Sequence, residues 1–253
     1  MFQEERLLKI LENLNVRKEM SVHDICKEFE VSRDTARRDI VKLVEEGAAM
    51  RTHGGITLPT LRDTIRDYRQ RLKAHSEEKM LIGQRALSFI QEGKQYFFDV
   101  STTVRFLAEF INHDIQVYTH SLDIAEILSD KDKVFVYLSG GSLHKENRFL
   151  FDAESLNQLK SVRFDTAFIG AAAIMKDGIY YENKEDAIIK KTVAGQSNTV
   201  ILLADIHKFQ LDSYHKGLGF QQVDILITDQ IPPEPFQDIL NSNNIQVIVI
   251  SKT

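Results

Sequence analysis

The sequence predicts an α/β protein in two parts, a small helical N-terminal part and a larger part built on a mostly parallel sheet. Three observations predict it. Residues up to about 55 carry apolar side chains at helical spacing and end in a short Gly-Gly hairpin. From about residue 80 onward, apolar strands alternate with helical stretches of about ten residues, as parallel strands with crossover helices require. Between the two, residues 59–80 are dense in charge, begin at Pro59 and read as a linker, partly helical. The expected organisation is residues 1–58, a linker over 59–80, and residues 81–253.

Each element of the first part has its own signal. Leu7, Leu8, Leu11 and Leu14 mark a first helix, and Val22, Ile25, Cys26 and Phe29 a second with Ser21 as its N-cap. After the break "EVS", Ser32 caps a third helix, "RDTARRDIVKLVEEG", which Gly47 stops. "AAMRTHGGITL" then reads as two short strands turning at Gly54 and Gly55. Three helices and a hairpin are the outline of a winged helix-turn-helix.

Composition bounds what this chain does. With 43% hydrophobic and 27% charged residues in 253, it buries a sizeable core and is not disordered. No apolar run approaches the ~20 residues that span a bilayer, and "MFQEERLLKILENL" lacks a signal-peptide core, so a cytoplasmic location is expected. The one cysteine, Cys26, excludes an internal disulfide framework and a multi-cysteine zinc site, and its apolar neighbours read as core. No metal or cofactor is implied. The net charge is −5, and residues 1–60 hold 10 Lys and Arg against 11 Asp and Glu. An anionic partner therefore has to be met by the placement of a few cations, not by bulk charge.

The third helix shows such placement. At ~100° per residue, Ala36, Ile40, Leu43 and Val44 fall on one buried side. Arg38 falls almost opposite, flanked by Asp34, Thr35 and Lys42, whereas Arg37 lies at the edge of the apolar stripe with Arg33. The second helix of a helix-turn-helix lies in the major groove, where an arginine bonds bidentately to guanine. Arg38, Thr35 and Lys42 are thus placed for the groove, and Arg33 and Arg37 for backbone phosphate. The bland alternative is a surface ion pair between Asp34 and Arg38, worth ~0.3–0.5 kcal/mol. The wing favours the first reading: Arg51, Thr52 and His53 donate to phosphate, and Gly54 and Gly55 allow a tight approach to the backbone.

These residues carry a resemblance. Residues 1–58 look like the DNA-binding domain of the DeoR family of bacterial repressors. "VSRDTARRDIVKLVEEG" resembles that family's V-S-x-x-T-[IV]-R-R-D-L-x-x-L-x-x-x-G, with Ala36 in place of a branched residue, and "RTHGG" resembles its R-x-H-G-G. The resemblance implies operator DNA contacts from Ser32, Arg33, Asp34, Thr35, Arg37, Arg38, Lys42, Arg51, Thr52, His53, Gly54 and Gly55.

The larger part repeats one theme, polar residues just beyond apolar strands. "YFFDVSTTV" ends a strand at Asp99 and opens a helix through Ser101, Thr102 and Thr103. Ligands of open α/β sheets sit beyond the carboxyl ends of strands, and a helix N-terminus suits a phosphate. Asp99 is able to accept from sugar hydroxyls. Thr119 and Ser121 follow a second strand, Gly140 and Gly141 a third, and Asp205 and Lys208 a fourth; Lys190 lies in "EDAIIKKTV". A lysine is a counter-charge for phosphate, although surface lysines are commoner.

This half is similar to the DeoR-type sensor domain, with D-x-G-T-T, T-N-S-L, G-G, A-x-x-K and D-x-[ST]-K-[FV] motifs, and so resembles the fold of ribose-5-phosphate isomerase and coenzyme A transferases. The resemblance implies a phosphosugar held by Asp99, Ser101, Thr102, Thr103, Thr119, Ser121, Gly140, Gly141, Lys190, Asp205 and Lys208. The chain departs from the pattern at Ser101 (glycine in the family), His120 (asparagine), His207 (a small residue) and Asp152, which appears where a glycine is usual.

The expected function is therefore a transcriptional repressor of sugar-metabolism genes. It binds double-stranded operator DNA as a homo-oligomer, dimer or tetramer, and responds to a phosphorylated sugar. The alternative is a sugar-phosphate isomerase-like enzyme with an accessory N-terminal domain. It would need a base among Asp99, Glu182, Glu185 and Asp205, and no nucleophile–base pair or metal cluster is evident in the sequence.

Overall fold

A computed structural model of the chain describes residues 3–17, 19–45, 49–52, 54–57 and 74–250. Most of the expected linker, Gly47 and His53 lie outside these residues. The chain divides into two compact units, Met1–Ile65 and Arg66–Thr253.

In the first unit, helices α1 (Gln3–Arg17), α2 (Val22–Phe29) and α3 (Arg33–Glu45) surround a core that includes Leu7, Ile10, Leu14, Ile25, Ala36, Ile40 and Leu43. Leu8, read from the sequence as core, is 64% exposed, and Ile10 is buried instead. The spacing 7, 10, 14 turns one residue away from the Leu8 side. Cys26 packs against this core. Ser21 begins α2 with a reciprocal cap: its Oγ accepts from the Asp24 N–H at 3.1 Å, and Asp24 Oδ2 accepts from the Ser21 N–H at 2.8 Å. Glu30, left-handed at φ 51°, ends α2. The hairpin is larger than expected. A strand too short for any periodicity, β1 (Glu19–Ser21), joins β2 (Met50–Arg51) and β3 (Gly55–Thr57) in the order β1-β3-β2.

The second unit is built on seven strands in the order β15-β14-β12-β9-β4-β5-β6. They are β4 (Gln95–Phe98), β5 (Ile115–Thr119), β6 (Val134–Leu138), β9 (Phe164–Gly170), β12 (Ser197–Leu203), β14 (Ile225–Thr228) and β15 (Gln246–Val249). Every pairing in this sheet is parallel. Alternate residues therefore enter two cores: Phe97, Phe164, Ile169 and Leu202 face one, and Tyr96, Phe98, Phe168 and Leu203 the other. Helices α4 (Ser76–Ala86), α5 (Thr102–Phe110) and α6 (Leu122–Ser129) cover the second. Helices α7 (Ala153–Lys160), α8 (Lys184–Ala194) and α9 (Glu234–Ser242) cover the first.

Two small sheets depart from the sequence reading. β7 (Ser142–His144) and β8 (Phe149–Phe151) form a hairpin, and β10 (Ala173–Met175), β11 (Gly178–Tyr181) and β13 (His215–Leu218) form a three-stranded antiparallel sheet. The stretch "DTAFIGAAAI" is accordingly two strands, broken after Gly170.

Candidate functional site

The exposed side of α3 is the first candidate surface. Its inner side buries Ala36, Ile40 and Leu43, and also Asp39. The Asp39 carboxylate accepts from Arg6 of α1 twice, at 2.6 Å from Nε and 3.0 Å from Nη2, and from Gln3 at 3.0 Å. This buried bidentate pair fixes how α3 is rotated against α1. The opposite side then carries Arg33, Asp34, Arg37 and Arg38, all exposed, with Thr35 and Lys42 half-buried beside them. Among the described residues no ion pair engages Arg37 or Arg38, so the Asp34–Arg38 pair that the spacing allows is not made. Val41, which the sequence reading did not single out, is 41% exposed one turn beyond both arginines.

Ser32 and Thr35 shape the start of α3. The Ser32 Oγ accepts from the Thr35 N–H at 3.2 Å and lies 2.9 Å from the Thr35 hydroxyl. In the wing, Arg51, Thr52 and Gly54 are exposed, and His53 lies outside the described residues. Gly55 corrects its reading as a backbone-approaching turn glycine. It is buried, and a Cβ there would fall 2.0 Å from the Met20 carbonyl oxygen, so its glycine serves the close approach of β1 and β3.

The second candidate site lies at the carboxyl edge of the parallel sheet. Strand order runs outward from β4 to β5 and β6 on one side, and from β9 to β12, β14 and β15 on the other. The order therefore reverses between β4 and β9, where an open α/β sheet leaves a crevice at its carboxyl ends. Asp99 follows β4 at this place, and Gly170 ends β9. The Gly170 N–H donates to Asp99 Oδ2 at 2.8 Å. A Cβ at Gly170 would lie 2.1 Å from Ser101 Oγ, so the glycine makes room for the serine. Ser101 Oγ accepts from the Thr103 N–H at 3.1 Å and caps α5, while Thr102 and Thr103 are buried in its first turn.

Lys190 reaches this place from α8 and is only 3% exposed. It is neither a solvated lysine nor an unengaged counter-charge. Its ammonium lies 3.0 Å from Asp99 Oδ2, 2.9 Å from Asp186 Oδ2 and 4.0 Å from the centre of the Tyr181 ring. Asp186 Oδ1 in turn lies 3.0 Å from His120 Nε2. An ionised carboxylate only accepts, so Nε2–H of His120 is the donor. The result is a buried chain Asp99–Lys190–Asp186–His120, in which Asp186 was not foreseen and His120 was noted only as a departure.

The charges in this chain are set by burial and by one another. Burial pushes Asp99 up, and Lys190 pulls it down without overcoming that. Burial acts on Asp186 too, but Lys190 and His120 overcome it and hold the group at about 2. Burial lowers Lys190, yet the two carboxylates raise it above its ordinary value, so it stays charged. Burial, with Asp99 and Asp186 nearby, pushes the Tyr181 phenol well up. Three polar atoms in the cluster have no hydrogen-bond partner among the described residues: Asp99 Oδ1, His120 Nδ1 and the Tyr181 hydroxyl.

The other expected residues line the same edge in supporting roles. Thr119 Oγ1 accepts from the Ser121 N–H at 3.0 Å, and Ser121 Oγ caps α6 through the Ile124 N–H at 3.3 Å. Gly140 accepts from Ser155 through its carbonyl at 3.1 Å. Gly141, at φ +119°, lets β7 approach the backbone of Phe151 and Asp152. Asp152 is committed to capping α7, its Oδ1 accepting from the Ser155 N–H at 2.6 Å. Asp205 and Lys208 follow β12, separated from β4 by β9. Asp205 is fully buried; Oδ1 accepts from the His207 N–H at 3.2 Å, and Oδ2 has no partner among the described residues. His207 stacks on His75, centroids 3.9 Å apart. Among the described residues there is no cluster of three or more His, Cys, Asp or Glu suited to a metal ion, and no helix long and apolar enough to cross a membrane.

Comparison with known proteins bears on both surfaces. Residues 6–62 match the DeoR-like helix-turn-helix domain, and residues 74–230 match the DeoR C terminal sensor domain. The HTH-type transcriptional repressor GlcR of Bacillus subtilis (strain 168) is 42% identical over 250 residues, which cover 98% of this chain and 97% of that one. The glycerol-3-phosphate regulon repressor of Escherichia coli (strain K12) is 27% identical over 250 residues, 98% and 99% of the two chains. Among solved structures, ribose 5-phosphate isomerase A from Methanocaldococcus jannaschii aligns over 54% of this chain and 55% of its own, at 12% identity and a TM-score of 0.40.

Proposed function

The chain belongs to the DeoR family of transcriptional regulators, and from that membership we propose that it is a DNA-binding repressor of sugar-metabolism genes whose operator affinity is set by a phosphorylated sugar. The observation that carries the reading is the presence, in one chain, of a capped helix presenting Arg37 and Arg38 without ion-pair partners among the described residues and of a buried strand-end carboxylate, Asp99, whose Oδ1 has no hydrogen-bond partner among them. Residues 1–58 form the DNA-binding domain, 59–80 the linker and 81–253 the effector domain. Arg38, Thr35 and Lys42 enter the major groove, with Val41 beside them as an apolar contact for a thymine methyl group. Arg33, Arg37, Arg51 and Thr52 hold backbone phosphate.

At the effector site, the sugar's hydroxyls donate to Asp99 Oδ1 and Asp205 Oδ2, and the phosphate takes the N-terminus of α5 with Lys208. Lys190 holds Asp99 in place rather than gripping the phosphate, since two carboxylates already engage it. The effector acts by binding one conformation of the protein more tightly than the one suited to the operator. The relatives named above are repressors, which supports a regulator over an isomerase.

The test is a titration of a panel of sugar phosphates against the protein bound to its own upstream DNA, followed by fluorescence anisotropy. At least one compound is expected to release the DNA, and Asp99→Asn to abolish release while operator affinity is kept. Sugar-phosphate turnover without any DNA binding would reverse the reading.

A further inference from the structure

The three polar atoms of the buried cluster that lack a hydrogen-bond partner among the described residues are not alike. The Tyr181 hydroxyl both donates and accepts, so it selects nothing. Asp99 Oδ1 belongs to a carboxylate that Lys190 engages at 3.0 Å through Oδ2, and an ionised carboxylate only accepts. His120 Nδ1 is set in the same sense by its neighbour. Asp186 is held ionised, at about 2, and has no proton to give, so His120 Nε2 carries the hydrogen of their 3.0 Å bond. In the neutral ring Nδ1 is then bare and accepts only.

Sheet register puts these two acceptors side by side. β4 and β5 pair in parallel up to Phe98 and Thr119, and Asp99 and His120 are the next residue on each. Both continue the alternation of Phe97 and Tyr118, whose rings lie on the face that α8 covers. Neighbouring strands run ~4.8 Å apart, so the two side chains are neighbours on that face. The other contacts of the His120 ring are aromatic. Phe97 stacks on it at 5.6 Å, and Phe149 meets it edge-on at 5.8 Å. Neither ring brings a hydrogen-bond donor.

We propose that His120 Nδ1 and Asp99 Oδ1 together read two adjacent hydroxyls, so that the effector is a sugar phosphate with a free vicinal diol and His120 sets that selectivity. The inference rests on the phosphosugar reading and narrows it. Two neighbouring acceptors on one face are matched by two neutral donors on adjacent carbons. An ammonium group also donates, but Lys190 already stands 3.0 Å from Asp99 and repels a second cation. A sugar lacking one of the hydroxyls leaves a buried acceptor without a bond, the costlier side of a lost hydrogen bond. His120 is fully buried, so the diol reaches it by displacing what lies over the ring. Phe149 lies there, on the β7–β8 hairpin. That hairpin meets the end of β5 through the Ser121–Phe149 bridge and the Leu150 N–H, which donates to the His120 carbonyl at 2.9 Å.

Titration calorimetry on the full chain without DNA tests this, at mildly alkaline pH. The first probes are ribose 5-phosphate and glucose 6-phosphate, followed by the other members of the sugar-phosphate panel. Each is compared with its 2-deoxy form, and glucose 6-phosphate also with its 3-deoxy form. The wild type is expected to bind a parent sugar about tenfold or more tightly than a form lacking one hydroxyl of the diol. His120→Phe keeps a ring against Phe97 and loses both nitrogens; it is expected to bind parent and deoxy forms alike, a loss of coupling that a merely structural role would not produce. Wild-type protein with isotope-labelled histidine gives a second readout that needs no variant to fold. There His120 Nδ1 is expected to resonate as an unprotonated ring nitrogen and to move upfield when the parent sugar binds. Discrimination kept in His120→Phe, equal binding of parent and deoxy forms by the wild type, or a protonated Nδ1 in the free protein would each overturn the proposal. Binding of no sugar phosphate would remove the phosphosugar reading and this inference with it. Binding that leaves the protein on its upstream DNA would remove the effector reading alone and leave the diol assignment standing.

Discussion

Lys190 and Asp186 stand one turn apart on α8, ammonium and carboxylate 2.9 Å from each other, and both are buried. The same ammonium holds Asp99 at the end of β4. One cation therefore bridges two carboxylates brought together from a helix and a strand end.

Removing that cation strands both carboxylates. Lys190→Met is expected to cost ~3–5 kcal/mol of unfolding free energy, the range for breaking a buried ion pair from one side. Urea unfolding measures it. A loss under ~1 kcal/mol, typical of a surface pair, would show that water enters the cluster.

The acid limb of stability is the second expectation. Asp186 is held at about 2, below the ~3.9 of an unfolded aspartate, so its contribution is present above pH ~4 and lost as pH falls to about 2. Asp99 is shifted upward, so it works with the opposite sign and does not add to this loss. Across that window the wild type is expected to lose ~2 kcal/mol more than Asp186→Asn. Chemical denaturation at fixed pH checks it, and parallel curves for the two proteins would refute the assignment.

The two adjacent arginines are expected to behave differently. Arg38→Ala should cost ~1–3 kcal/mol on the operator and relax base preference at one position. Arg37→Ala should weaken binding to all sequences alike and flatten the salt dependence by about one unit of log–log slope. Anisotropy at several salt concentrations separates them; identical profiles would mean that both grip phosphate.

Gly170 and Ser101 form a steric pair, since a Cβ on the first would lie 2.1 Å from the hydroxyl of the second. Gly170→Ala is expected to destabilise by ~1–3 kcal/mol through overpacking. Ser101→Gly alone should cost only a few tenths of a kcal/mol, the usual loss when a capping serine becomes glycine. The double variant should be more stable than Gly170→Ala alone, a coupling that thermal unfolding of all four proteins measures.

Local features of this fold were legible in the sequence because they depend on neighbours. The Ser21 cap, the helix opened through Ser101 and the apolar run of β4 all follow from residues within a turn of one another. The groups that set the geometry of the two surfaces are not local. Asp39 reads as one more charge beside Arg38, and its partner Arg6 lies 33 positions away. His120 and Asp186 are 66 positions apart and meet only because β5 and α8 reach the same edge. The reversal of strand order between β4 and β9 is a property of topology, which periodicity does not encode. Glu19–Ser21 failed for a simpler reason: three residues are too few to show a period of two.

A row of rings runs from Phe97 through Phe164, Tyr118 and Tyr137 to Phe135, with successive centroids 5.7, 5.4, 4.2 and 4.8 Å apart. Phe97 stacks on His120 at 5.6 Å, so the row begins against the buried His120–Asp186 pair and ends in solvent. The chain has no tryptophan to drain or mask tyrosine emission. A movement of His120 is expected to register, without any label, in the near-ultraviolet dichroism of the stacked Tyr118–Tyr137 pair.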